Sequence, residues 1–262
     1  GEMIEEAMKH GAAIAQMDER IGNPTTKLPN MAGKDAPNMQ GDVSKPHTII
    51  VDQQGDRYMK EAASYSDITK AMMARHKQVP ASHSWMIMDS QFLGKYMLCG
   101  TMPGSKKPQN WYDEKALLQA DTIEALAAQC EIAPAKLKAT VERFNGFARS
   151  GKDEDFQRGG HAYGEWLGDP LHDGPSKTLG TIDQGPFYAM KLYPGDVSTY
   201  GGLVTDVNAQ VVRGDGSAIA GLYATGVTTA SVFGRASIGA GASVGPSFTW
   251  GYVAAKHALA SN

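Results

Sequence analysis

The run GLYATGVTTASVFGRASIGAGASVGP, Gly221 to Pro246, decides how this chain is read, and a helical run from Ser247 to about Leu259 follows it. Gly221–Gly226 has the composition of a short buried strand entering a glycine turn. Gly239, Gly241 and Gly245 then line the approach to a helix start. Small residues, a glycine turn and a glycine-lipped helix N-terminus bring bare backbone N–H groups against a flat, electron-rich ligand. The pattern therefore marks a cofactor site. The same three glycines nearly match a dinucleotide fingerprint, but that motif opens a βαβ unit with an acidic residue roughly 20 positions on. Only 17 residues follow Gly245, none of them acidic. These glycines are not a pyrophosphate loop. From the residues alone, a glycine-rich packing turn against a buried helix stays open as the alternative.

Working outward, the pattern is α+β. Met3, Ile4, Ala7, Met8, Ile14 and Met17 predict a helix over 2–17, and the Pro- and Gly-rich stretch 23–38 predicts a loop where domains cross. Residues 48–52 read as a strand entering the turn 53–56, with 57–59 returning. Trp85–Asp89 reads as a buried strand with a short helix after it. Thr122–Cys130 and Pro134–Ser150 read as amphipathic helices, the second with Leu137, Val141, Phe144 and Phe147 on one face. Short strands are expected at 187–193, 202–205 and 209–213. The last helix carries Phe248, Tyr252 and Val253 as a stripe.

Composition narrows the function classes. The 262 residues are 42% apolar and 20% charged, with a formal net charge of −3. That is enough chain for one large or two modest domains, and it carries no basic footprint for nucleic acid or an anionic membrane surface. No stretch approaches the roughly 20 apolar residues of a membrane span. Cys99 and Cys130 make no disulfide framework and read as reduced structural thiols, which fits a cytoplasmic protein. The seven histidines show no metal-ligand spacing, His76 and His83 included, so no metal is expected.

The pieces GLYATGV at 221–227, ASVFG at 230–234 and GAGASVGPSFTWGYVAAKHAL at 239–259 resemble the closing segment of FAD-dependent flavoproteins of the fumarate reductase and 3-ketosteroid dehydrogenase superfamily. Upstream, KPHTIIVDQQGDRYMKEAASYSD at 45–67 is similar to that family's "GxRFxNE" hairpin followed by a tyrosine. WMIMD at 85–89 resembles its "WLIFD" strand. GDP at 168–170 and LGTIDQGPFYAMKLYPGDVSTYGGLVTD at 179–206 resemble its "GDP…PFYA…PGD…TxGG" block, and the ketosteroid dehydrogenase branch fits best. The resemblance implies that 1–24 and 199–262 belong to a Rossmann-like FAD-binding domain and that 25–198 form a capping domain for substrate. It also implies that the chain is the C-terminal part of a longer protein, since family members carry their dinucleotide fingerprint in an earlier segment.

Site residues follow from the same resemblance. Tyr65 matches the family's proton acceptor; a phenol ionises near pH ~10 and needs positive potential to act as a base. From the residues alone, Tyr65 is a packing tyrosine near a helix start. Gly241 matches the glycine whose N–H binds the substrate keto oxygen, although a positive φ would by itself explain a glycine. Ser237 stands where the branch has a tyrosine as second donor to that oxygen, so it reaches the oxygen only through a shifted substrate or a bridging water. Gly226 and Val227, with Thr225, match the turn along the flavin, and Ser243, Val244 and Gly245 match the helix start facing its pyrimidine edge. The fumarate reductase branch has a histidine and an arginine where this chain has Ser198 and Ser237. The activity implied is FAD-dependent oxidation of a C–C bond beside a ketone, on a hydrophobic steroid-like substrate. The alternatives are a fumarate or enoate reductase, and a non-catalytic fragment.

Overall fold

A computed structural model describes residues 1–29, 36–236 and 238–260. Along the chain run α1 (Glu2–Lys9), β1 (Ile14–Ala15), β2 (Arg20–Thr25), α2 (Gln40–Val43), β3 (Thr48–Val51), α3 (Tyr65–Gln78), β4 (Ser84–Asp89) and α4 (Ser90–Lys95). Then come α5 (Gln109–Asp113), β5 (Leu117–Ala120), α6 (Ile123–Gln129), α7 (Pro134–Ser150), α8 (Ala162–Leu167) and β6 (Phe187–Thr199). The chain closes with β7 (Gly202–Leu203), β8 (Gln210–Val212), β9 (Ala218–Tyr223), a 3-10 turn (Gly226–Thr228) and α9 (Val244–Ala260). The fold is α+β. It divides into two compact units, Gly22–Gly195 and Gly1–Ile21 with Asp196–Asn262.

The larger unit is built on a sheet ordered β2-β6-β4-β3, with β5 also paired to β6. β4 lies antiparallel between β3 (Ile50 opposite Met86) and β6 (Ile87 opposite Ala189). Every residue of β3 and β4 is buried. That explains their unbroken apolar composition, because alternate side chains point to opposite faces and both faces are covered. Ile50, Met86, Met88, Met190 and Leu192 face one layer, with Ile68 and Met72 of α3 and Phe92 of α4. Ile49, Val51, Trp85 and Ile87 face the other, with Leu126 of α6 and Leu137, Val141 and Phe144 of α7. Local signals set the helix ends. Pro134 opens α7 and Gly151, at φ +75°, closes it. Thr122 caps α6 by accepting the Ala125 N–H.

In the smaller unit β1 pairs antiparallel with β7, and β8 with β9 across an irregularity. Its core cluster is small, made of Ala7, Leu203, Val211 and Ile219.

Three local expectations are corrected. The helix over 2–17 ends at Lys9, because Gly11 turns the chain at φ +81° and Ala13 donates to the Val212 carbonyl instead. The return strand at 57–59 does not form. The Asp52 carboxylate ties up the turn by accepting from Gln54 and Asp56, Arg57 turns inward, and β3 pairs with β4 instead. The strand read at 221–226 is β9, which starts at Ala218 and buries only Ile219. On the stripe of α9, Phe248 and Tyr252 are 76% and 69% exposed.

Candidate functional site

The glycine turn and the helix start lie together in the smaller unit. β9 leads through extended Thr225 into Gly226, which turns at φ +68° and opens the 3-10 turn carrying Val227. The turn is pinned to the first turn of α9: Thr225 Oγ1 donates to the Ser247 carbonyl at 3.0 Å. A methyl added at Gly226 would sit 3.4 Å from Ser247 Oγ, so a larger residue would crowd the helix as well as strain the backbone.

α9 is entered through a compact hydrogen-bonded approach. The Gly245 N–H donates to the Gly241 carbonyl at 2.8 Å, and Ser247 donates through both N–H and Oγ to the Ser243 carbonyl. The first N–H groups of any helix lack acceptors within it and carry the positive end of its dipole. Gly241 sits at φ +87°, a conformation that a side chain would strain. Gly245 has no such angle, and methyls added at Gly239, Gly241 or Gly245 would meet nothing within 4 Å. Packing within this chain therefore does not explain the glycine at 245. The lip is bare backbone facing open space. Ser237 lies outside the described residues. Arg235, two residues earlier, is engaged by Asp18 at 2.8 Å and Glu19 at 2.6 Å.

Tyr65 belongs to the larger unit, where it is half-buried as the first residue of α3. Ser64 caps that helix by accepting the Asp67 N–H at 3.1 Å. The segment before it is anchored on both sides. Glu61 is fully buried, bonded by Arg57 at 3.0 and 2.9 Å and approached by Arg158 at 3.3 Å, while Arg57 also reaches Asp153. Burial pushes the Glu61 carboxyl up, but Arg57 and Arg158 outweigh it and hold it below the usual carboxylate range. Gln40 donates one amide hydrogen to the Ala63 carbonyl and the other to Tyr163 Oη, both at 3.1 Å. The sequence reading missed Gln40 and Arg158. Arg57 and Glu61 are four apart and could be paired on paper, but partners about 100 residues distant leave no local signal.

Other candidates resolve simply. Trp85, Met86 and Met88 are core, whereas Trp166 is 70% exposed with its ring 5.7 Å from that of Tyr163. His76 bonds Ser84 and His83 packs on Trp85. Among the described residues no group of three or more His, Cys, Asp or Glu could hold a metal, and no helix is long and apolar enough to cross a membrane.

The model of the FAD binding domain family matches residues 1–244. The 3-oxosteroid 1-dehydrogenase of Mycobacterium tuberculosis (strain ATCC 25618 / H37Rv) is 39% identical over 262 residues, covering 98% of this chain and 46% of that protein. The 4-oxocyclohexanecarboxylate 2-dehydrogenase of Sinomonas cyclohexanicum is 35% identical over 214 residues, covering 80% of this chain and 36% of that one. Among solved structures, the 3-ketosteroid delta1-dehydrogenase of Sterolibacterium denitrificans, in complex with 1,4-androstadiene-3,17-dione, matches with a TM-score of 0.94 at 35% identity. That match covers 100% of this chain and 47% of that chain. This chain thus spans less than half the length of the curated relatives it matches.

Proposed function

The chain belongs to the FAD binding domain family, and from that premise we propose that it serves a dehydrogenase that desaturates the C–C bond beside a ketone in a hydrophobic, steroid-like ring. The observation that carries the reading is the side-chain-free lip at Gly239, Gly241 and Gly245, with the Gly226 turn pinned beside the start of α9. Such a lip fits a flat ring system that must approach the backbone closely. Gly226, Val227, Ser243, Val244 and Gly245 would hold it. FAD, when bound there, supplies an acceptor for the hydride from the substrate's β-carbon.

The remaining work falls to the chain's own groups. The Gly241 N–H donates to the keto oxygen, which takes up negative charge as the enolate develops; one such donor contributes roughly 3–4 kcal/mol. Ser237 adds a second, shorter-reaching donor. Tyr65 accepts the α-proton, and the positive end of α3, at whose first residue it sits, favours negative charge on its oxygen. One hydride and one proton leave adjacent carbons, and a C=C bond remains. In this reading 1–24 and 199–262 are cofactor domain and 25–198 are the substrate domain. The names of the 39%-identical relative and of the 35%-identical solved structure support the substrate class.

Dicarboxylate reduction is disfavoured by the residues present. Ser198 and Ser237 are uncharged, and Arg235 is already held by Asp18 and Glu19. A doubly charged substrate would lack its charge-assisted contacts. The deciding experiment is an anaerobic titration of the FAD-incubated protein with a panel of 3-ketosteroids and with fumarate. Bleaching of the flavin colour by a 3-ketosteroid is expected. Protein that stays colourless after incubation would favour a non-catalytic substrate-binding role, and turnover of fumarate alone would sink the dehydrogenase reading.

A further inference from the structure

Two histidines of the larger unit, His47 buried and His172 half-buried, take no part in the chemistry above. His47, just before β3, is 3% exposed and held at φ +64°. A non-glycine residue there is strained, and such strain gathers where the fold has a use for it. His47 Nδ1 lies 2.7 Å from the Thr181 carbonyl, and His172 Nε2 lies 3.0 Å from the Leu179 carbonyl. The two rings meet edge to face, 5.2 Å between centroids.

These contacts fix the tautomers. A carbonyl oxygen only accepts, so His47 carries its hydrogen on Nδ1 and His172 on Nε2. In the neutral rings His47 Nε2 and His172 Nδ1 are then bare acceptors, and both are buried with no hydrogen-bond partner. Taking a proton at His47 Nε2 would place a cation, with an N–H that has no acceptor, beside a second imidazole. The stretch covering the pair is residues 168–182. It is tied at one end by Lys45, which donates to the Leu167 and Gly168 carbonyls, and at the other by Asn145, which bonds Ile182 in both directions. Between these ties it lies so close that a methyl at Gly180 would sit 2.7 Å from His47 Cε1.

We propose that His47, packed edge-on against His172, acts as a proton-operated clasp, which holds residues 168–182 down while its ring is neutral and releases them when it takes a proton. Water reaching the opened site solvates the imidazolium that the closed site cannot. The charged groups facing the pair do not cancel this. Asp89 attracts a proton to His47, whereas Lys95 and His172 repel it; Asp169 faces His172 but is shared with Tyr96 Oη and Lys45. Burial is the largest influence on His47 and lowers its proton affinity despite Thr181 and Asp89. A histidine so lowered stabilises the closed form fully above about 6.5, and the contribution is lost as pH falls below that value.

Amide hydrogen exchange over 168–182, corrected for its intrinsic pH dependence, tests the clasp on the intact chain. Between pH about 7.5 and about 5.5 the opening of this segment should rise on the order of tenfold while β3 and β4 stay protected. His47→Asn with His172→Gln keeps an amide donor at each carbonyl, suits the positive φ at 47 and removes the His47 titration, so it should flatten that response. Asp89 is untouched in the double variant, so an undiminished response would assign the effect elsewhere and overturn the proposal. Should the variant not fold, nitrogen NMR of the wild type decides: neutral His47 as the Nδ1–H and His172 as the Nε2–H tautomer supports the clasp, and the opposite pair refutes it.

Discussion

At Tyr65 the proposed chemistry depends on one phenol oxygen, carried at a helix start whose neighbours Ser64 and Glu61 do not themselves react. Replacing Tyr65 with Phe keeps the ring and its packing but removes the proton acceptor. Turnover of a 3-ketosteroid should fall by about 10²-fold or more with the FAD content unchanged; near-normal steady-state rates would rule the role out. Glu61, four residues earlier, tests the support instead. Glu61→Gln leaves two buried guanidinium groups, Arg57 and Arg158, short of a counter-charge. Loss of one partner from such a site costs about 3–5 kcal/mol, read from urea unfolding. The same carboxyl sets an acid limit. Its proton affinity is lower folded than unfolded, so its contribution is complete above the ordinary carboxylate value of 4.5 and is lost as pH falls below it. Asp153, also held low against burial by Arg57, acts in the same direction. The glycine turns at Gly226 and Gly241 were legible in the chain, since a backbone that needs positive φ leaves a local pattern. Arg158 was not, because its partners at Val43, Lys45, Thr48 and Glu61 are joined to it only by the fold.

Elements that were legible carry their own boundary chemistry. Pro134 with Gly151 and Thr122 with Ala125 mark α7 and α6 from within a few residues of each end, and β4 announced itself as an apolar run. The helix over 2–17 misled because periodicity extends through a glycine that the backbone uses to turn, at Gly11. The strand return at 57–59 misled because Arg57 reads as a polar surface residue and is instead drawn into a buried ion network. α3 is the element on which Tyr65 depends, and its cap offers a graded test. Ser64→Ala removes the acceptor for the Asp67 N–H and should cost about 1 kcal/mol in unfolding free energy. If the start of α3 places the Tyr65 oxygen, kcat should fall in this variant by more than KM rises. An unchanged kcat would detach that helix end from the reaction.

Across the whole molecule apolar surface is shared unequally. The larger unit hides two extensive clusters on the two faces of one sheet. The smaller unit has four residues in its core cluster, yet it exposes Val207, Val227, Val244, Phe248, Tyr252 and Leu259, and no residue of α9 is classed as buried among those described. No periodicity in the sequence distinguishes the two cases. An apolar helix stripe looks the same whether its cover is present or not, so the stripe on α9 was legible and its exposure was not. Burial is what offsets chain entropy, so a unit with so little of it is marginal by itself. Urea should therefore unfold the chain in two steps, the smaller unit first, with β3 and β4 retaining exchange protection through the first transition. Exposed apolar patches of this kind also bind hydrophobic dyes and promote self-association. Replacing Phe248 and Tyr252 together with Glu should abolish most dye binding and any concentration-dependent association seen by sedimentation, while leaving the second unfolding midpoint in place. A single cooperative transition, or dye binding that survives the double substitution, would show instead that the smaller unit's stability does not hinge on that face.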